Sequence, residues 1–243
     1  MKIAMYFRNS VSIVVSPRSR VGKTLLARLL TDFHAQEGRR VEAFDLNSGD
    51  GTLKQFAPAL TTISDIASVQ GQMALFDRLI AEDDAYKVVD LGQQSFEAFF
   101  ALARQIGFAE EAARRGIVSA IVYVITPDAT AVEAFQALRR HFPQALLAPV
   151  HNEIFGPAQH GGKYEMVGSR APLARLPTLA AGVRRYIETP PFSFSDAELA
   201  AAAMPPAVRE EMQHWLRRVY REFRELDLRI LLADLQSAIR LPS

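Results

Sequence analysis

Short, almost wholly apolar runs alternate with longer stretches of helical spacing through the first two-thirds of this chain. The runs lie at residues 11–15, 41–45, 86–90, 119–125 and 145–150. None alternates polar and apolar positions as a strand with one wet face would, so each predicts a strand covered on both sides. Between them, residues 23–36, about 64–82, 95–115 and 128–141 carry helix-compatible spacing. Gly38 stands where the first helix should end. Asp128, just after Pro127, stands where the fourth should begin. This alternation predicts an α/β fold, a mostly parallel sheet with helices on both faces.

Further along, residues 156–163 read as a Gly/His/Pro-rich loop, and a helix is expected at 178–188 within a proline-bearing segment. Residues 195–203 and 206–239 then read as helices. In the second, Val208, Met212, Trp215, Leu216, Val219, Phe223, Leu226, Ile230 and Leu231 form one apolar stripe, while arginines and glutamates mix on the other side. A basic membrane-surface helix would carry fewer acids, so the stripe is expected to pack on the sheet's own helices. The organisation expected is a main domain over 1–190 with a C-terminal helical extension, 191–243, packed on it.

Ligands of parallel sheets sit beyond the carboxyl ends of the strands. Polar residues gather at those ends here: 16–24, 45–51, 90–94, 126–128 and 151–156. The first cluster carries the clearest chemistry. A phosphate cradle needs inward-pointing backbone N–H groups, a helix N-terminus behind them and a lysine for the outer phosphates. VSIVVSPRSRVGKTLLARLL, residues 11–30, supplies a strand, a loop ending Gly22-Lys23-Thr24, and a helix. Gly22 lets the backbone approach phosphate, Lys23 brings charge, and the Thr24 hydroxyl suits Mg²⁺.

PRSRVGKT resembles the deviant Walker A loop, GKGGxGKT, of the ParA/MinD class of P-loop ATPases. Val21, Gly22, Lys23 and Thr24 fit the pattern, and Leu25 follows as the next residue of the helix. Arg18 takes the place of the lysine that, in that class, reaches across a dimer to the partner's nucleotide. It keeps the charge but not the geometry of an ammonium. Pro17, Ser19 and Arg20 replace glycines or small residues, and Pro17 donates no N–H.

The resemblance runs on to about residue 190. VEAFDLNSGDGTL, 41–53, is similar to the family's switch segment, DxDPQ, with Asp45 at the first aspartate and Asn47 at the second. An amide there can hold a water but cannot take its proton, so slow hydrolysis is expected. YKVVDLGQQ, 86–94, is similar to the Walker B strand, which makes Asp90 a water-mediated Mg²⁺ partner. PVHNEIFG, 149–156, resembles the strand whose asparagine recognises adenine. Asn152 could do that or simply shape a turn. RLPTLAAGVRR, 175–185, resembles the last strand and the loop beside the base, at Pro177. HNEIF lacks the lysine and aspartate of a guanine-reading motif, so adenine is preferred.

These residues imply Mg²⁺ held near Thr24, Asp45 and Asp90. They also imply catalysis resting on Lys23, Asp45, Asn47 and Arg18, and an ATP/ADP site lined by residues 19–25 (Ser19, Arg20, Val21, Gly22, Lys23, Thr24, Leu25), Asn152 and Pro177. The family's roles are those of a nucleotide-dependent homodimeric switch in plasmid or chromosome partition, conjugative transfer or cargo positioning, with a protein cargo or DNA as partner. A nucleotide-holding pseudo-ATPase is the alternative that Asn47 and Pro17 keep open.

Composition narrows little else. With a net charge of +1, no global electrostatic footprint points to nucleic acid. The absence of cysteine excludes disulfides and thiolate chemistry, and fits a cytoplasmic protein. No stretch reads as a secretory signal or a transmembrane segment. The histidines, at 34, 141, 151, 160 and 214, show no metal spacing; His151 and His160 could approach the site, though such residues more often line a solvated loop.

Overall fold

The computed structural model describes residues 9–47, 52–156, 164, 173–194 and 204–240, with side chains to residue 232. Seven strands form one parallel sheet. They are β1 (Ser10–Val15), β2 (Arg40–Asp45), β3 (Thr61–Ile63), β4 (Ala85–Asp90), β5 (Val118–Val124), β6 (Leu146–Asn152) and β7 (Ala174–Leu176). Their order across the sheet is β3-β2-β4-β1-β5-β6-β7, and every neighbouring pair is parallel. All six residues of β1 and of β4 are buried, including the polar Ser10, Ser12, Lys87 and Asp90.

Along β1 the side chains divide between two cores. Val14 packs with one; Val11, Ile13 and Val15 pack with the other. On the Val14 side lie α1 (Lys23–Gln36), α7 (Ala181–Ile187) and the long last helix α8 (Pro206–Arg240). On the opposite face lie α3 (Val69–Leu79), α4 (Phe96–Gln105), α5 (Phe108–Arg114) and α6 (Ala129–His141), joined by the cluster Phe76, Phe96, Phe99, Phe100, Phe108 and Phe142. Both faces are covered, which is the architecture expected.

The departures from expectation are local and have physical causes. The single helix expected over 95–115 is two, because Gly107 adopts φ +63° and ends the first of them. The short α2 (Thr52–Phe56) and edge strand β3 have too few residues to show a period. Asp128 caps α6 through its side chain, accepting from Ala131 N at 3.1 Å. Gly38, with φ +77°, directly follows the end of α1. The helix expected at 195–203, most of the loop 156–163, and His160 within it lie outside the described residues. His151, expected on a solvated loop, is buried, and its Nε2 meets Gly156 O at 2.8 Å.

The stripe of α8 lies in the Val14-side core: Met212, Trp215, Leu216, Val219, Phe223, Leu226 and Ile230 are all buried. Polar ties fix its register. Arg39 pairs with Asp227 at 2.8 Å, Arg224 with Glu37 at 2.9 Å, and Glu222 accepts from Arg175 N on β7 at 3.0 Å. The Trp215 indole N–H donates to Pro177 O at 2.8 Å, so α8 holds the loop leaving β7. Trp215→Ala should cost about 3–5 kcal/mol in a denaturant melt, by cavity formation and an orphaned carbonyl. A loss under 1 kcal/mol would mean that α8 is not an integral part of the core.

Candidate functional site

The carboxyl ends of β1, β2 and β4 meet in register: Val14 lies beside Asp90, and Asp90 beside Asp45. Both carboxylates are fully buried. Asp45 Oδ1 accepts from Asn47 N at 3.0 Å and Asn47 Nδ2 at 2.9 Å, and Oδ2 accepts from Lys54 N in α2 at 3.1 Å. Asp90 Oδ2 accepts from the Thr24 hydroxyl at 2.7 Å and from Asn47 Nδ2 at 2.8 Å. Asn47 therefore bridges the two acids. The other Asp90 oxygen, Oδ1, is enclosed and has no partner. Burial, with Asp45 adding repulsion, pushes Asp90 up to about 6, although Thr24 and Asn47 hold it down.

Between β1 and α1 the loop turns sharply. Arg20 takes φ +57°, where the family pattern has glycine, and Gly22 takes φ +95°. The left-handed turn thus persists with a side chain paying its strain. Gly22 is the N-cap of α1 and supplies no side-chain acceptor, so the first-turn N–H groups of this 14-residue helix have no capping partner. Lys23 is buried, and its ammonium donates to Arg18 O at 2.5 Å, folding back across the loop. Burial lowers its pKa, with Asp90 pulling the other way.

This helix end opens into a cleft of about 510 Å³. At one end stand Ser19, Arg20, Gly22, Lys23, Thr24, Leu25, Asn47 and Gln93. At the other, Ile154, Phe155, Leu176, Pro177 and Leu179 form apolar walls, with Arg28, Asn152, Arg184, Ile187, Glu188 and Trp215 completing the lining. Ile154 and Phe155 are 44% and 51% exposed, unusual for their types.

Most residues singled out in the sequence converge here, and four are placed differently from the family pattern. Val21 is buried in the core, and only its carbonyl faces a polar group. Asn152 is turned inward: Nδ2 donates to Val21 O at 3.1 Å, and Oδ1 accepts from Ile154 N at 3.2 Å. It clamps the loop so closely that a Cβ on Gly22 would lie 2.7 Å from it. Asp45, with both oxygens engaged, sets Asn47 and the start of α2. Arg18 points to the β5 exit, where its Nε and Nη2 donate to Asp128 Oδ1 at 3.1 and 2.5 Å. Pro177, Thr24 and Lys23 line the cleft.

Arg28, Phe155 and Trp215 were not foreseen as cleft residues. Arg28 left a readable signal, a single cation among Leu25, Leu26, Ala27, Leu29 and Leu30 and one turn after Thr24. Phe155 and Trp215 left none, since their approach depends on tertiary packing.

A Mg²⁺ ion suits these residues. Among the described residues no cluster of three or more His, Asp or Glu could cage a metal alone. Mg²⁺ bound to a phosphorylated ligand, however, asks for only one or two protein oxygens plus phosphates and waters. The Thr24 hydroxyl and the orphaned Asp90 oxygen answer that demand.

The uncapped helix end, the lysine, and Thr24 tied to the acid of the adjacent strand have the arrangement that a phosphate-binding loop requires. The fold is a parallel α/β sheet covered on both faces, with this loop between its first strand and first helix. The segments that carry the ParA/MinD resemblance are the loop after β1 and the strands β2, β4, β5, β6 and β7 with their exits.

Among solved structures, the chain is similar to a plasmid partition protein from Borrelia burgdorferi, at 11% identity over 89% of this chain and 98% of that one, TM-score 0.45. It is similar to the MinC:MinD cell division protein complex of Aquifex aeolicus, at 12% identity over 87% and 95%, TM-score 0.48. It is also similar to a nucleotide-binding protein in complex with ADP from Archaeoglobus fulgidus, at 15% identity over 86% and 87%, TM-score 0.39. At these identities the likeness concerns the course of the chain and carries no residue-level information. No protein-family profile and no curated protein matches the chain. Among the described residues, no helix is long and apolar enough to cross a membrane.

Asp90 gives a pH-dependent signature. The folded carboxyl keeps its proton up to about 6, whereas the ordinary value is 3.8, so between those values the folded state binds more protons than the unfolded. Wild-type stability, measured against Asp90→Asn, should therefore fall as pH rises through that window. The expected loss is on the order of 3 kcal/mol for about two pH units. A difference that stays flat across the window would contradict the buried, underbonded carboxylate.

Proposed function

We propose that this chain is a ParA/MinD-like ATP-binding protein, a nucleotide-dependent dimerising switch with weak hydrolysis, acting in partition, conjugative transfer or cargo positioning, with a protein cargo or DNA as partner. The observation that carries it is the uncapped N-terminus of α1, with Lys23 and Thr24 beside the buried Asp90, at the head of a nucleotide-sized cleft. When bound, Mg²⁺ would neutralise phosphate charge. Lys23 would leave the Arg18 carbonyl for the outer phosphates, and the first-turn N–H groups would hold the inner ones.

Weak hydrolysis follows from Asn47. Its amide is committed to two carboxylates, and neither it nor Asp45 is free to take a proton from water. The same feature supports the second reading, a pseudo-ATPase that holds nucleotide as a structural or regulatory subunit.

Titration calorimetry tests the binding. Mg-ATP should bind wild type, and Lys23→Ala should weaken it by at least tenfold; no heat at millimolar ATP defeats the proposal. Asn47→Asp then separates the two readings. It replaces two donated hydrogen bonds with like charges, so without Mg²⁺ it should destabilise the fold by about 2–4 kcal/mol. With Mg-ATP it should raise turnover if the rest of the site is sound. A rate that stays negligible favours the pseudo-ATPase. For the dimer, light scattering with a non-hydrolysable ATP analogue should show a doubling of mass that Arg18→Ala abolishes. No change in either protein argues against a dimer.

A further inference from the structure

Arg28 is a cleft cation that the phosphate loop does not use. Arg28 follows Thr24 by one helical turn, a step of about 6 Å along α1. It lines the cleft yet is only 5% exposed. Its guanidinium lies 3.5 Å from the centre of the Phe56 ring, 5.1 Å from Phe194 and 5.9 Å from Phe192. Two of its nitrogens, Nε and Nη2, are enclosed and have no hydrogen-bond partner. They are the two donors of one edge of the guanidinium, the fork that takes a pair of neighbouring acceptor atoms.

Among the described residues nothing satisfies that fork. Asp32, one turn further along α1, accepts from Ser193 Oγ at 2.8 Å and Phe194 N at 2.7 Å. Glu188 lies near enough to favour the charge but makes no ion pair with Arg28 within 4 Å. Burial lowers the guanidinium to about 10, so it stays charged at neutral pH. Packing alone is a poor reason for such a residue, because a methionine would fill the same space without burying unmet donors.

Position decides which part of a ligand could meet it. Phosphates belong at the Gly22–Leu25 end and a base between Ile154, Phe155, Leu176 and Pro177. Arg28 borders the cleft that contains both, one turn along α1 from Thr24. We infer that Arg28 is a ligand-binding residue whose Nε–Nη2 edge takes a pair of oxygens on the ribose of a bound nucleotide. Those oxygens are either the vicinal hydroxyls of ATP itself or a phosphate carried on the ribose. Phe56, only partly buried, lies over the guanidinium face, and its ring swings aside to admit the ligand. This inference rests on the nucleotide-binding reading above.

Arg28→Met tests it through two readouts of opposite sign. The melting temperature of the ligand-free variant should equal or exceed that of wild type, while its affinity for Mg-ATP falls at least tenfold. Mg-tripolyphosphate, which has no ribose, should bind both proteins within about twofold of each other. If the hydroxyls are the acceptors, 2′,3′-dideoxy-ATP loses the same factor against wild type and nothing further against the variant. If a ribose phosphate is the acceptor, adenosine 3′,5′-bisphosphate binds wild type at least tenfold tighter than AMP does, and the variant abolishes that gain. A variant that melts lower and binds Mg-ATP as wild type does overturns the inference, because Arg28 then serves packing alone. So does ribose chemistry that shifts neither affinity. If wild type binds neither Mg-ATP nor Mg-tripolyphosphate, the phosphate-loop reading itself falls and this one with it.

Discussion

Two carboxylates, Asp45 and Asp90, are forced side by side by the register of β2 and β4, both fully buried. Buried acids that close must be hydrogen-bonded or protonated. The site is organised around meeting that demand. Thr24 answers from α1, Asn47 from the β2 exit, and the Lys54 backbone N–H from α2. The phosphate loop and the segment after β2 are thereby tied to one point. A change of charge there, whether a proton or a divalent cation, is felt in both.

This constraint also explains how Asn47 fits. A third aspartate would face two others, and only a cation would make that tolerable. The amide donates to both acids at once, which favours a site that is stable when empty. The orphaned Asp90 oxygen marks where that arrangement remains incomplete. Stability without ligand and readiness for hydrolysis pull in opposite directions at this position, and the asparagine favours the first.

What the residues revealed in advance divides along physical lines. The parallel sheet was legible because its central strands are buried on both faces and therefore mostly apolar, and α1 because Gly22-Lys23-Thr24 opens it and Gly38 follows it. The Asp128 cap was readable from a local rule. β3 and α2 were not, being shorter than the periods that would reveal them. In the site, residues joined by backbone proximity, such as Gly22, Lys23 and Thr24, could be named from spacing. The orientation of Asn152 could not, because whether its amide faces a base or the Val21 carbonyl depends on how close β6 lies to the loop. Arg20 shows a related limit. The glycine pattern describes a backbone conformation, and that conformation survived the loss of the glycine.

Arg18 bears on how such a protein could switch. In the isolated chain its guanidinium donates to Asp128, at the start of α6, in a partly exposed ion pair. Solvent reaches both side chains and screens the pair, so the contact can be exchanged for another acceptor. Opening it leaves Asp128 still capping α6 and still accepting from Thr126 at 2.7 Å, so neither helix nor strand end is lost. A ligand shifts a conformational balance only through its differential affinity for the two states. A triphosphate presented by a second subunit would offer Arg18 a more highly charged acceptor than one carboxylate, whereas a site emptied of its outer phosphate would return the advantage to Asp128. In the proposed dimer, the partial exposure of the pair would leave Arg18 able to exchange acceptors, whereas a buried version of the same contact would hold it in place.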